Sequence, residues 1–370
     1  MPNFEQVQID RISVALKSMF IADSLAMPVH WYYRTADILN VFPGGIKDFQ
    51  NAPDHHPSSI MSLHSTQQGG RKSASKRKQR EIVGDVILKG KAEFWNIPNI
   101  QYHHGMMAGD NTLNAHCVRV LIRSLIENDG HYDSDRFLDH YIDFMTADPP
   151  QHNDTYAESY HRGFFDNLSN GKPKNQCGAK THDTASIGGL VTIAPLVFTQ
   201  RLLGASLEKV QKLCQQHLQL THPDDYLTKI CSSYVKLLDN LLFRKDNDSA
   251  AEIINHASVS GIRLNLQELD SRVLSDHQVI GSIYSSACYI EHSWPGVLYL
   301  AFRYHDNLKQ GLIANTNLGG DNVHRGIVLA TLLGLLSGKT ENAWFKQLIA
   351  QSEINAEINK LIELVLVNKR

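Results

Sequence analysis

Helical periodicity runs through this chain almost from end to end, and it excludes most architectures before any single residue is weighed. In residues 4–26 the apolar side chains Val7, Ile9, Ile12, Val14, Ala15, Met19 and Phe20 keep one broad face, as an amphipathic helix requires. Pro28 then stops the helix, since proline has no N–H to donate. The same spacing predicts helices over 112–127, 134–146, 185–203, 206–218, 225–243, 247–258, 278–290, 294–305, 323–336 and 341–366. Alternation with period two, the mark of a half-buried strand, is scarce. The expected fold class is all-α. A length of 370 residues exceeds the size at which single cores usually stop growing, yet no low-complexity linker and no solenoid repeat divides the chain. It is read as one domain over 1–370.

The last predicted helix carries Trp344, Leu348, Ile349, Ile354, Ile358, Leu361, Ile362 and Val365 on one face, a stripe that needs a partner surface. With 42% hydrophobic and 20% charged residues, the composition supports a buried core rather than disorder. A formal net charge of -2 supplies no overall field for nucleic acid or an anionic membrane. The one biased stretch is RKSASKRKQR at 71–80, read as a solvated loop, with a phosphate-binding patch as the alternative. Five dispersed cysteines without CxxC spacing indicate neither a disulfide framework nor a zinc site. The N-terminus lacks the pattern of a secretory signal, and no segment offers the roughly 20 apolar residues of a membrane span. The expected location is cytoplasmic, with no membrane or specific nucleic-acid partner.

Long polar segments at 40–80, 96–111, 148–184 and 314–322 separate the helices, and such loops often carry function. Two of them hold the same tripeptide: Gly-Asp-Asn occurs at 109–111 and at 320–322, each time just before a helical segment. Asp110, Asn111 and Thr112 suit helix capping, but three in a row exceed what one cap needs. In the second copy Gly319 and Gly320 permit close backbone approach, and Asp321, Asn322, His324 and Arg325 crowd a helix start. Gly326 and Ala330 then keep that helix thin. If the two helix starts meet, Asp110 and Asp321 lie side by side, and paired carboxylates need a proton or cation between them. A hard divalent ion suits such a pair.

Two further clusters complete the set. Thr181, His182, Asp183, Thr184 and Ser186 precede the small residues Gly188 and Gly189, and Asp23 lies on the first helix ahead of His30, Trp31, Tyr32 and Tyr33. The aromatic group either stacks a base or fills core.

These segments, in this order, resemble the ADP-ribosylglycohydrolase family: a GDALG-type first helix, a TDDT-type turn, a small-residue helix ending in APL, and a GGDTDT-type turn. The resemblance, which extends to crystallin J1 relatives, implies an orthogonal helical bundle, two magnesium ions between the two turns, and hydrolysis of an ADP-ribosyl glycosidic bond. Asp110 and Asp321 match metal ligands, and Asp23 and Gly320 match framework positions. The chain departs at Gly109 and Asn111, at Val323 and His324, and at His30, where the family pattern has glutamate. Four ligand positions thus lack a carboxylate, which argues against a full binuclear site.

The resulting expectation is one Mg²⁺ or Mn²⁺ on Asp110, Asn111 and Asp321. Catalytic proton transfer falls to His30 or His324, and ligand or cofactor contacts to Ser186, Gly189, Gly319 and Gly320. The expected substrate is a small molecule or ADP-ribosylated protein with a ribosyl glycosidic bond. Two alternatives stay open: a non-catalytic binding or structural protein, and an HD-type phosphohydrolase centred on His182 and Asp183.

Overall fold

A computed structural model describes residues 6–61, 81–181 and 183–367. The basic run 71–80 and His182 therefore lie outside the described residues. Among those residues seventeen α-helical segments form, and extended backbone pairs only as isolated bridges. The all-α expectation holds.

The centre is a pair of helices far apart in sequence, Gln6–Ala26 and Asn322–Ser337, which pack on each other more extensively than any other two elements. Both are apolar nearly all round, so both are core helices. Their approach depends on small residues. A Cβ at Gly334 would lie 2.6 Å from the Cα of Ala15, and one at Gly326 would lie 3.6 Å from the Cβ of Ala22. This is the thin helix that Gly326 and Ala330 predict. Leu113–Glu127, Ile193–Leu202, Asp225–Leu242, Ile290–Arg303 and Gln351–Val367 surround the pair.

By length and composition, Gln6–Val29 could also cross a membrane, which the search for apolar runs did not find. However, 89% of its apolar window is buried in the fold, as befits a core helix.

Three spans differ from their predicted form. Residues 278–290 form only the short Asp276–Val279 helix and then turns, and the next helix starts at Ile290, with Pro295 inside it. The C-terminal stretch is broken into Asn342–Phe345 and Gln351–Val367. Its stripe is covered: Trp344, Leu348, Ile354, Ile358, Leu361 and Val365 are buried, while Ile349 is exposed. Inside the polar segment 148–184 a helix forms at Ser159–Ser169, and its polar side chains His161 and Arg162 are buried with the aromatic ones.

Candidate active site

The two Gly-Asp-Asn turns have different local roles. At the first, the helix Leu113–Glu127 begins without a side-chain cap of its own. Its N-terminus is satisfied by carboxylates from elsewhere: Asp23 accepts from the Thr112 N–H at 2.8 Å and from Thr112 Oγ1 at 2.6 Å, and Asp154 accepts from the Leu113 N–H at 2.8 Å. Negative charge is favourable there. Asn111 turns inward, donating to Asp23 at 2.9 Å and to the Phe20 carbonyl at 2.9 Å. Burial pushes the Asp23 carboxyl up to about 6, against the pull of these hydrogen bonds.

The second turn is joined to the segment after the first helix. The Trp31 N–H donates to Gly320 O at 2.8 Å, and the Gly320 N–H donates to Tyr32 O at 2.7 Å. Gly319 and Gly320 both sit at φ +63°, with Tyr32 and Ser286 backbone against them. That pairing places His30 beside Asp321. Trp31 takes a positive φ of 61°, an unfavourable conformation for a large side chain.

Around Asp321 lies a buried chain of polar contacts. Asp321 Oδ1 bonds His324 Nδ1 at 2.5 Å and His30 Nε2 at 3.1 Å. His30 Nδ1 bonds His103 Nε2 at 2.8 Å, and His103 Nδ1 bonds Asp154 Oδ1 at 2.8 Å. On the other side His324 Nε2 lies 3.4 Å from Glu158 Oε1, whose carboxylate also accepts from Asn114 Nδ2 at 2.9 Å. All of these groups are buried. Burial alone would raise the Asp321 carboxyl, but His324 and His30 outweigh it and hold it well below the usual range. Burial opposes charge on His103 as well, and Asp154 prevails, raising its pKa.

The His30 ring stacks on Trp31, with centroids 3.7 Å apart and planes at 18°. Trp31 in turn meets Tyr102 and Tyr156 edge-on at 4.6 and 5.0 Å. Trp31 and Tyr156 are half-buried and Tyr33 is exposed, so this aromatic wall reaches solvent. Asp183, also half-buried, accepts from Ser159 Oγ at 2.8 Å and lies 4.0 Å from Cys288 Sγ. Burial, then Asp321 and Asp183, push the Cys288 thiol well above its ordinary value. The charges of both carboxylates thus reach one half-buried thiol.

A pattern of the ADP-ribosylglycohydrolase family matches residues 5–369. The chain belongs to that family. A solved structure described as an ADP-ribosylglycohydrolase-related protein complex is similar to this family member over 98% of this chain and 100% of its own, with 17% identity and a TM-score of 0.59; that likeness concerns the fold. No curated protein matches the sequence.

The family is generally divalent-metal dependent, so the donors of this member decide what its site can hold. Asp321, His30 and His324 come together, and their ligand atoms lie within 4.8 Å of one another, the one such group among the described residues. Asp110 and Asn111 do not join it. The Asp110 carboxylate accepts from the Met107 N–H at 2.9 Å and from Asn153 Nδ2, sharing no partner with Asp321, and it lines a separate cleft of about 290 Å³ with His116, Arg119 and His152. The amide nitrogen of Asn111 is committed to Asp23. Two imidazoles and one carboxylate are a poor match for a pair of oxygen-loving magnesium ions.

Of the other expected contact residues, Gly189 lies against Leu218, Leu227 and His222, with Gly188 against Ser186 Oγ and His324. Ser186 is buried in a bridge to Tyr289. Sequence reading gave no role to Asp154 or Glu158. The available signal was their four-residue spacing within the long polar segment 148–184.

Proposed function

We propose that this family member hydrolyses an ADP-ribosyl or related ribosyl glycosidic bond at the space between Asp321 and Asp183. The supporting observation is the buried Asp321 carboxylate pinned by two imidazoles, with an aromatic wall against His30 and the half-buried Asp183 beside Cys288. Glycoside hydrolysis builds positive charge on the sugar ring, and its leaving atom must take up a proton. Asp321, held by His30 and His324, orients the reacting ribose. Asp183, half-buried and held by Ser159, carries the proton. Trp31, Tyr102 and Tyr156 offer ring faces on which a planar or sugar ring packs. His30 and His324 are each wedged between Asp321 and a second partner. They act as positioning residues for the carboxylate, a different role from the proton transfer expected of them.

The test is release of free ADP-ribose from a panel of N-linked and O-linked ADP-ribosylated peptides. Turnover by the wild type should fall about 100-fold or more in Asp183→Asn and in Asp321→Asn, with circular dichroism unchanged. Absence of wild-type turnover on every member of the panel overturns the proposal. Tight binding of ADP-ribose without turnover would instead establish a binding protein, the reading that the missing family carboxylates at Asn111 and Val323 favour.

A further inference from the structure

From the geometry of the Asp321 cluster we infer that this chain has exchanged the family's magnesium chemistry for a single site selective for an imidazole-preferring divalent ion of the zinc class, held by His30 Nε2, Asp321 and His324 Nδ1. The inference concerns the same centre as the proposed hydrolysis, but it does not depend on turnover.

Four observations carry it. The three donor atoms already converge, all within 4.8 Å of one another. They come from two core-helix ends whose backbones are hydrogen-bonded to each other through Trp31, Tyr32 and Gly320, so the site is built on rigid scaffold. Asp321 Oδ2 is fully buried and has no hydrogen-bond partner, a cost of about 1–3 kcal/mol unless something fills the lone pairs. His30 is backed on its far nitrogen, Nδ1, by His103 at 2.8 Å and through it by Asp154, while the far nitrogen of His324, Nε2, has Glu158 Oε1 at 3.4 Å without a hydrogen bond. A carboxylate behind a ligating histidine is the usual outer shell of a zinc-type site, where it fixes the ring and raises its basicity.

Charge leads the same way. Asp321 forms ion pairs with His30 and His324 alone. Asp154 and Glu158 likewise have histidines as ion-pair partners, beside hydrogen bonds from Leu113, Tyr156 and Asn114. Three buried carboxylates among imidazoles form a donor set whose negative charge a divalent ion can offset. The identity of the ion follows from the donors: imidazole suits zinc, iron, cobalt and nickel, whereas magnesium seeks oxygen. Three protein ligands are the number that a catalytic site of this class carries. Tetrahedral ligands about 2.0–2.1 Å from a metal lie roughly 3.3 Å apart, so the 2.5 Å contact between His324 and Asp321 must open. A rotation of the carboxylate achieves this, and the ion displaces whatever proton the pair shares.

The experiment uses the full chain, stripped with chelator and dialysed, then titrated separately with Zn²⁺, Co²⁺ and Mg²⁺. Calorimetry follows binding, and the visible d–d bands of Co²⁺ report the ligand field. One equivalent of Zn²⁺ or Co²⁺ is expected, bound at least ~100-fold more tightly than Mg²⁺. His30→Gln and His324→Gln should abolish the cobalt bands. His103→Gln, which touches only the outer nitrogen of His30, should weaken binding by about 10–100-fold while leaving the band shape recognisable; it keeps the test valid if a direct ligand variant misfolds. Equal affinity for Mg²⁺ and Zn²⁺, no binding of any of the three ions, or binding unchanged in all three variants overturns the inference. Zinc binding without hydrolysis would sink the proposed activity and leave this inference standing; hydrolysis by a protein that binds no zinc would do the reverse.

Discussion

At the scale of single residues, Asp23 shows how far a motif can be read. It matches a framework position of the family pattern, and the structure shows what that framework role is: its two oxygens collect the Thr112 N–H, the Thr112 hydroxyl and the Asn111 amide. Asp23→Ala strands three buried donors at once, each costing about 1–3 kcal/mol. We expect a loss of about 3 kcal/mol or more, read as a fall in the urea midpoint at constant m-value. Asp23→Asn should be milder, because its carbonyl still accepts one or two of these bonds. A variant as stable as wild type would show that the turn holds itself. Asp23, His30, Asp321 and His324 were legible in the sequence, but Asp154 and Glu158, which join the same chain of contacts, were not. Asp110 and Asp321 both follow a glycine and precede asparagine and a helix, and nothing local distinguishes them. The difference arises because the chain after the first helix pairs its backbone with Gly320 and delivers His30 to Asp321 alone, a contact separated by 291 residues.

At the scale of elements, the close fit of Gln6–Ala26 on Asn322–Ser337 makes a prediction against helix propensity. Alanine at position 334 would favour an isolated helix by about 1 kcal/mol over glycine. Its Cβ would nevertheless arrive 2.6 Å from the Ala15 Cα, which is backbone and cannot swing aside. Overpacking of that kind costs roughly 1–3 kcal/mol, so Gly334→Ala should lower stability on balance, and an unchanged or higher melting temperature would refute the close-packing account. These two helices were legible because apolar side chains repeat along them with no competing signal. Ser159–Ser169 was not, because its sequence SYHRGFFDNLS mixes polar and aromatic residues on every face. Ser159 and His161 are buried, and their hydrogen-bond partners are distant in sequence, Asp183 for Ser159 and Tyr141 for His161. The stretch 278–290 failed in the opposite sense: it has enough apolar residues for a helix, but Gly281 at φ +128° and the bridge from Ser186 to Tyr289 turn it into a connector.

At the scale of the whole molecule, buried histidines tie stability to pH. His217 and His222 are buried, and desolvation lowers both to about 3. His217 is neutral between two hydroxyl groups, those of Tyr132 and Thr192 at 2.9 Å each. The unfolded chain protonates these rings near pH 6.5, so their contribution is complete above that value and is lost as pH falls toward 3, at about 1.4 kcal/mol per ring and pH unit. Asp23 works the other way, since a carboxyl raised to about 6 takes up its proton in the folded state first and returns stability between pH 6 and 4. Burial lowers His30, His56 and His161 to about 4 and His116 to about 3 as well, so the lowered rings outnumber raised carboxyls such as Asp23 and stability falls over that range. Below pH 4 the carboxylates Asp154 and Asp321, both held below their usual range, add to the loss instead of offsetting it. Urea midpoints measured from pH 7 to pH 3 should therefore fall steadily and then steepen below pH 4. In His217→Gln, where an amide can still bridge Tyr132 and Thr192, the decline in stability between pH 6 and 4 should become shallower by about 1.4 kcal/mol per unit. A slope identical to wild type would mean that this imidazole has the same proton affinity folded and unfolded, and that its burial between two hydroxyls carries no electrostatic cost.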